Sequence, residues 1–294
     1  MVMQAAREGL RLRATDLSSR HYGALFDVLG AEFVAADLTR REGLDPLLEG
    51  VDAVFHVAGI HDYSTPDEIV FAVNVKAVEN LCDAAVAASV GRFIHLSSVG
   101  VYGYDWRSAE PVSEDAEKLT PPLNNYNVSK WEGEKVVHRY QLEKGLRTTI
   151  FRPAAIYGPR SEYGLFNAFK QIESSRGKRR MLMAGKGDRI EAFLHVEDMC
   201  RAVLFAFEHD ETIGEVYNVS DDEPAPSSDV VAYGAWLLSV DPPPIEAFED
   251  AEMSVALRSF YAENRWVSNV RLRDELGVDL KYPTYREGLT ALLE

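Results

Sequence analysis

The sequence predicts an α/β fold: a doubly wound parallel sheet with helices on both faces and a smaller lobe toward the C-terminus. Short apolar runs alternate with helix-like ones through the first half of the chain, the pattern of consecutive strand and helix units. That pattern becomes irregular after Tyr157-Gly158-Pro159, broken by Gly164, Gly185, Gly187 and Pro242-Pro243-Pro244. The length, 294 residues at 46% hydrophobic, suffices for one large core or a core plus a smaller lobe.

Taken in order, residues 1–9 read as the end of a helix and residues 10–16 as a strand. Strand-like runs recur at 33–36, 53–57, 93–96 and 148–152, bringing the β-branched and aromatic residues that suit a pleated surface. Between them, 21–29, 69–90 and 126–143 carry helix-like patterning, the last following the loop segment Pro121-Pro122-Leu123-Asn124-Asn125. A helix over 196–209 and a strand over 216–219 return to the main sheet. The expected division is a core of 1–160, with 193–220 returning to it, and a lobe formed mainly by 161–294.

Composition excludes several partners. The chain has 31 Lys and Arg against 47 Asp and Glu, a net charge of −16, and both nucleic acid and anionic membrane repel such a surface. No apolar stretch reaches the eighteen or so residues of a membrane span, no signal peptide is visible, and the expected location is cytoplasmic. Cys82 and Cys200 both sit in helix-like apolar patterns, so the reading is buried free thiols rather than a disulfide or a metal site.

Chemistry enters with Tyr126 and Lys130, a Tyr-x-x-x-Lys unit at the start of a helix. Residues four apart share a helix face, so phenol and ammonium can point into one cleft. A neighbouring cation stabilises phenolate and lowers a tyrosine pKa from its reference of about 10, which makes the hydroxyl a usable proton carrier near neutrality. The alternative is an exposed helix pair worth roughly 0.2–0.5 kcal/mol. Ser97 and Ser98 follow the 93–96 strand at the edge where open α/β sheets bind ligands. A hydroxyl there can grip a substrate oxygen while Tyr126 moves the proton. Alternatively, both serines only satisfy backbone groups at the strand end.

FIHLSSVGVYG (93–103), YNVSK (126–130) and IFRPAAIYGP (150–159), together with VFHVAG (54–59), VNV (73–75), FLHVEDM (193–199) and VYNVSDDEP (216–224), resemble the extended short-chain dehydrogenase/reductase family. That family includes NAD-dependent epimerases and dehydratases and the 3β-hydroxysteroid dehydrogenase-like enzymes. The resemblance covers most of the chain in family order and implies a Rossmann-type dinucleotide-binding core with a substrate-binding lobe. It makes Tyr126 the acid/base, Lys130 its partner that also holds the nicotinamide ribose, and Ser98 the substrate-orienting hydroxyl. Asn74 falls where the family has an Asn near the cofactor, and Pro153 matches the Arg-Pro step beside the nicotinamide. Asp37 and Leu38 resemble the adenine-contacting pair. Val57, Ala58 and Gly59 end a strand where small residues let backbone approach a ligand, with an ordinary tight turn as the alternative.

A sheet of this kind begins with a strand and a Gly-rich turn whose N–H groups face a pyrophosphate. Here residues 10–16 already read as the second strand, so the match starts about twenty residues into a βαβ unit of roughly 30. Gly185-Lys186-Gly187 lies too far downstream to replace the turn. Either Met1 or Met3 is an internal methionine taken as a start, or the loop has been lost; the first is favoured because the missing strand is central in the order 3-2-1-4-5-6. The sheet is then expected to show a vacant position between the strand ending at Asp16 and that ending at Val57. Asp16 stands where an acidic residue accepts ribose hydroxyls and repels a 2′-phosphate, which points to NAD over NADP. A helix-cap or turn role for Asp16 is the alternative, and the nearby Arg20 leaves NADP open.

Substrate identity is less legible. Nucleotide-sugar members of the family carry an Asn and an Arg where this chain has Ala155 and Glu191, and a carboxylate repels a diphosphate. Arg189 is two residues away and can substitute only if the loop shifts. The expected activity is hydride transfer at a secondary alcohol or ketone on a small-molecule substrate, with a homodimer left open. The alternatives are a nucleotide-sugar epimerase or dehydratase, or a non-catalytic NAD(P)-binding protein.

Overall fold

The computed structural model describes residues 1–20, 22–62, 64–103, 110–116, 124–161, 181–183, 190–242, 245–247, 250, 252, 258 and 264–293. The chain forms two compact units. The first comprises Met1–Ser97, Ser129–Ile150 and Cys200–Val216, and the second Ser98–Val128, Phe151–Met199 and Tyr217–Glu294.

In the first unit, α1 (Val2–Arg7) leads to β1 (Arg13–Asp16), α2 (Gly23–Leu29), β2 (Glu32–Ala35), α3 (Leu44–Leu48) and β3 (Ala53–His56). β1 and β2 pair in parallel, from Arg13↔Glu32 to Asp16↔Ala35. β3 pairs in parallel with β4 (Arg92–Leu96), from Ala53↔Arg92 to His56↔His95. β4 is followed in the sheet by β5 (Thr148–Pro153) and then by the strand Val216–Val219, both of which continue into the second unit. β4 and β5 are buried almost throughout, as befits parallel strands covered on both faces.

β1 and β3 belong to different sheets. Between them lies a cavity of about 630 Å³, walled on one side by residues 13–16 and on the other by residues 53–58. This is the vacant position expected between the strand ending at Asp16 and the one ending near Val57. Residues such as Leu47, Leu48, Val78, Leu81, Phe93 and Val137 form the core of this unit. Each such side chain contributes about 1.5–3 kcal/mol by leaving water.

The helix expected over 69–90 is a composite. It begins at α4 (Asp67–Phe71), directly after Pro66, widens into a π turn over Ala72–Lys76 and resumes as α5 (Ala77–Ala87). The widened turn carries Asn74, 1% exposed, and such turns gather at functional sites. α6 (Asn125–Lys144) packs closely against it: a Cβ at Gly133 would stand 2.6 Å from the Asn74 carbonyl oxygen, so a larger residue forces the two helices apart. α6 starts where Asn124 accepts the Asn127 N–H through Oδ1 at 2.9 Å, the geometry of a helix N-cap.

The second unit contains the 3₁₀ turn Val99–Tyr102, the parallel pair Ala155–Tyr157 with Phe193–His195, and the helices Ser227–Leu237 and Tyr285–Thr290. Tyr157, Phe193, Val230, Tyr285 and Leu289 are buried together there. Cys82 and Cys200 are buried free thiols. Among the described residues, no helix is long and apolar enough to cross a membrane, and no cluster of His, Cys, Asp or Glu could hold a metal ion.

Candidate active site

Lys130 is the centre of the first unit's polar cluster. It is 5% exposed, and its ammonium donates to the Leu96 carbonyl at 2.6 Å, where β4 ends. Burial pulls the ammonium down from its ordinary value to about 8, against the raising effect of the Glu134 carboxylate. Beside it, Asn74 makes three hydrogen bonds: Nδ2 donates to the Ile60 carbonyl and to Ser129 Oγ, and Oδ1 accepts the Ile60 N–H, each at 2.9 Å. The π turn thereby ties the loop after β3 to the helix that carries Lys130.

Gly59 lies in that tied loop. A Cβ placed on it would come within 3.2 Å of Asn74 Oδ1 and 3.8 Å of Lys130 Nζ, so the side-chain-free backbone leaves an approach to both groups. Val57, Ala58 and Gly59 are exposed, Val57 at 52%. Asp16, Leu38, Val57 and Ala58 all border the 630 Å³ cavity. The Asp16 carboxylate is exposed and accepts the Leu17 N–H at 2.6 Å. Asp37 instead accepts from the Thr39 hydroxyl and N–H at 2.6 and 3.0 Å, bonds that hold its carboxyl below the usual range.

The first unit thus brings Asp16, Leu38, Val57 and Ala58 to the lining of one cavity and Gly59, Asn74 and Lys130 to one cluster. Hydroxyl acceptors and an ammonium suit the sugar ends of a dinucleotide. Among the described residues that line the cavity, no turn with clustered glycines offers a row of N–H donors to a diphosphate.

In the second unit, Ser98 is half-buried and its Oγ accepts the Gly100 N–H at 3.1 Å, opening the 3₁₀ turn. Gly100 sits against the Asn127 side chain at the start of α6. Tyr126, the residue before, is partly buried. Tyr102 donates its hydroxyl proton to Asn218 Oδ1 at 2.7 Å and accepts from Arg152 Nη1 at 2.8 Å. Pro153 follows Arg152 and is buried at the end of β5. Glu191 is 5% exposed, accepts the Ser227 hydroxyl at 2.8 Å and pairs with Arg265 at 3.6 Å. Arg189 lies outside the described residues.

Several residues of these clusters escaped the sequence reading. Ser129 and Ile60 show their part only through Asn74. Glu134 had a visible signal, since it stands one helical turn beyond Lys130. His56 and His95 had none, because their pairing depends on strand register.

The model of the NAD dependent epimerase/dehydratase family matches residues 2–220. The chain is 29% identical over 233 residues to the decarboxylating sterol-4-alpha-carboxylate 3-dehydrogenase of Bos taurus, covering 77% of this chain and 62% of that one. It is 29% identical over 190 residues to the N-acetyl-alpha-D-glucosaminyl-diphospho-ditrans,octacis-undecaprenol 4-epimerase of Escherichia coli O157:H7, covering 63% and 54%. The chain therefore spans about three fifths of the length of the curated relatives it matches. In fold it is similar to the dTDP-glucose 4,6-dehydratase of Streptomyces venezuelae, solved with NAD and TYD bound, at a TM-score of 0.83 and 21% identity over 99% of this chain and 90% of that one.

Proposed function

We propose that this chain, which belongs to the NAD dependent epimerase/dehydratase family, moves a hydride between NAD and a secondary alcohol or ketone of a small-molecule substrate. The observation that carries the reading is a buried Lys130 whose ammonium is anchored on the Leu96 carbonyl, one helical turn after Tyr126 on α6. A binding module has no need of that pairing.

In this reading Tyr126 takes the proton from the substrate hydroxyl, or returns it to the ketone oxygen. Lys130 favours the phenolate through its charge. Ser98 holds the same substrate oxygen by a hydrogen bond and opposes the build-up of charge on it. Bound NAD supplies the hydride acceptor. Asp16, Asp37 and Leu38 would hold its adenosine end, Val57, Ala58 and Gly59 would let it approach the backbone, Asn74 and Lys130 would serve the other ribose, and Pro153 would line the nicotinamide site. Residues 1–160, with 193–220, bind the dinucleotide, and 161–294 mainly hold the substrate.

A nucleotide-sugar epimerase or dehydratase is the second reading, and the name of the Escherichia coli relative favours it. Against it, Glu191 is spent on Arg265 and Ser227 where a cationic clamp for a diphosphate was expected. Sterol-like alcohols are therefore the first substrates to try.

The test is Tyr126→Phe. With a panel of sterol-like alcohols, simple secondary alcohols and nucleotide sugars, followed by reduction of NAD or by product analysis, the variant should lose about 10²–10⁴-fold in kcat while retaining the NAD affinity of the unmodified protein. Turnover undiminished in Tyr126→Phe overturns the assignment.

A further inference from the structure

We propose that Glu134 is the positioning residue for Lys130: its buried carboxylate is the counter-charge that holds the Lys130 ammonium in its charged form. The proposal rests on the reading of Lys130 as the partner of the acid/base tyrosine. It makes Glu134 part of that machinery, although it touches neither substrate nor cofactor.

Geometry supplies the first argument. Glu134 stands four residues after Lys130 on α6, a spacing that brings side chains to neighbouring places on one helix face. Both are buried, Lys130 at 5% exposure and Glu134 at 2%. The close approach of Gly133 to the Asn74 backbone packs this turn of α6 against the π turn. An ammonium in such a place loses its hydration and tends to shed its proton unless negative charge or hydrogen bonds replace the water.

The surrounding groups narrow the source of that compensation. From β4 comes the Leu96 carbonyl, which accepts one hydrogen bond, and from the π turn comes Asn74, a neutral amide. His56 on β3 and His95 on β4 are kept uncharged by burial and by Lys130 itself. His138, two turns along α6 from Lys130, would oppose an ammonium if protonated. Glu134 is the group whose charge raises Lys130 against burial. Without it, burial acts against the ammonium with only the Leu96 carbonyl to oppose it, and Lys130 would lose at neutral pH much of the charge that activates Tyr126.

The experiment reads protonation directly and needs neither substrate nor NAD. Protein carrying ¹³C at lysine Cε and glutamate Cδ is titrated by NMR, with Lys130→Arg assigning the Lys130 signal. In the unmodified protein the Glu134 carboxyl signal should inflect at the Lys130 midpoint, near 8, because coupled groups report each other's titration. In Glu134→Gln the Lys130 midpoint should fall by about one unit or more, whereas Glu134→Asp, which keeps the charge, should restore most of it. A Glu134 signal that ignores the Lys130 midpoint overturns the proposal, even if Glu134→Gln fails to fold. An unmoved midpoint in folded Glu134→Gln overturns it equally. Neither result bears on Tyr126, whose reading is decided by turnover.

Discussion

His56 and His95 face each other across β3 and β4 with their Nδ1 atoms 2.8 Å apart and their rings nearly parallel, 5.0 Å between centroids. At that distance one Nδ1 carries the proton and the other accepts it, so the two neutral rings hold opposite tautomers. Burial, reinforced by the charge on Lys130, lowers His56 to about 3 and carries His95 well below its ordinary value.

These depressed values predict acid sensitivity. The unfolded rings bind protons below about 6.5 and the folded ones do not, so the stability the pair contributes is complete above about 6.5 and is lost as pH falls toward about 3. In urea titrations, the unmodified protein should lose stability relative to His56→Gln/His95→Gln across that window, by an order of a few kcal/mol. Parallel pH profiles for the two proteins would show that the rings take up protons in place.

Asp221 predicts the opposite slope. It is 2% exposed with both carboxyl oxygens unpartnered among the described residues, and burial, with the Asp222 and Glu223 charges adding to it, pushes its carboxyl up to about 8. A raised folded value gives stability that is full below the unfolded value near 3.8 and is lost as pH rises toward about 8. Asp221→Asn should therefore gain stability over the unmodified protein at pH 8, and that gain should shrink to nothing near pH 4. Thermal unfolding at the two pH values checks it.

Asp16 should set the preference among dinucleotides. Its exposed carboxylate borders the cavity, where it can accept ribose hydroxyls and repel a 2′-phosphate. Calorimetry should find NAD bound more tightly than NADP, and Asp16→Ala should narrow the difference. Tighter NADP in the unmodified protein would promote Arg20 instead.

Affinity for NAD is itself predicted to be modest in the 294-residue chain. Among the described residues lining the cavity there is no clustered glycine turn, and each charge-assisted hydrogen bond not made to a diphosphate forgoes about 1.5–3 kcal/mol. Dissociation constants in the micromolar range or weaker are expected. Nanomolar binding would mean that the diphosphate is held by groups other than those lining the cavity.

Local patterns and the order of elements were legible, and contacts between distant side chains were not. Tyr126 and Lys130 could be placed on one helix because a spacing of four depends on nothing outside the helix, and α6 runs Asn125–Lys144 where 126–143 was expected. The break between β1 and β3 was also readable, since strand order follows from the succession of elements. The π turn at Asn74 was not: its hydrogen bond to Ser129 links residues 55 positions apart, and nothing in VNV signals a widened turn. The pairing of Glu191 with Arg265 escaped for the same reason, because Arg265 belongs to a stretch with no periodicity to read.

The separation of β1 from β3 also bears on how the first unit opens and closes. Backbone hydrogen bonds propagate cooperativity across a sheet, and here that propagation stops at β3 on one side and at β1 on the other. A pair of four-residue strands is marginal by itself, so local unfolding of β1 and β2 should cost less than that of the four-stranded sheet, although Val34 packs on the shared core. Asp16, Asp37 and Leu38 ride on or beside that pair, whereas Asn74 and Lys130 belong with the more persistent half. Whatever binds both halves must draw the looser one into register, and so would report its arrival as slowed amide exchange in β1 and β2.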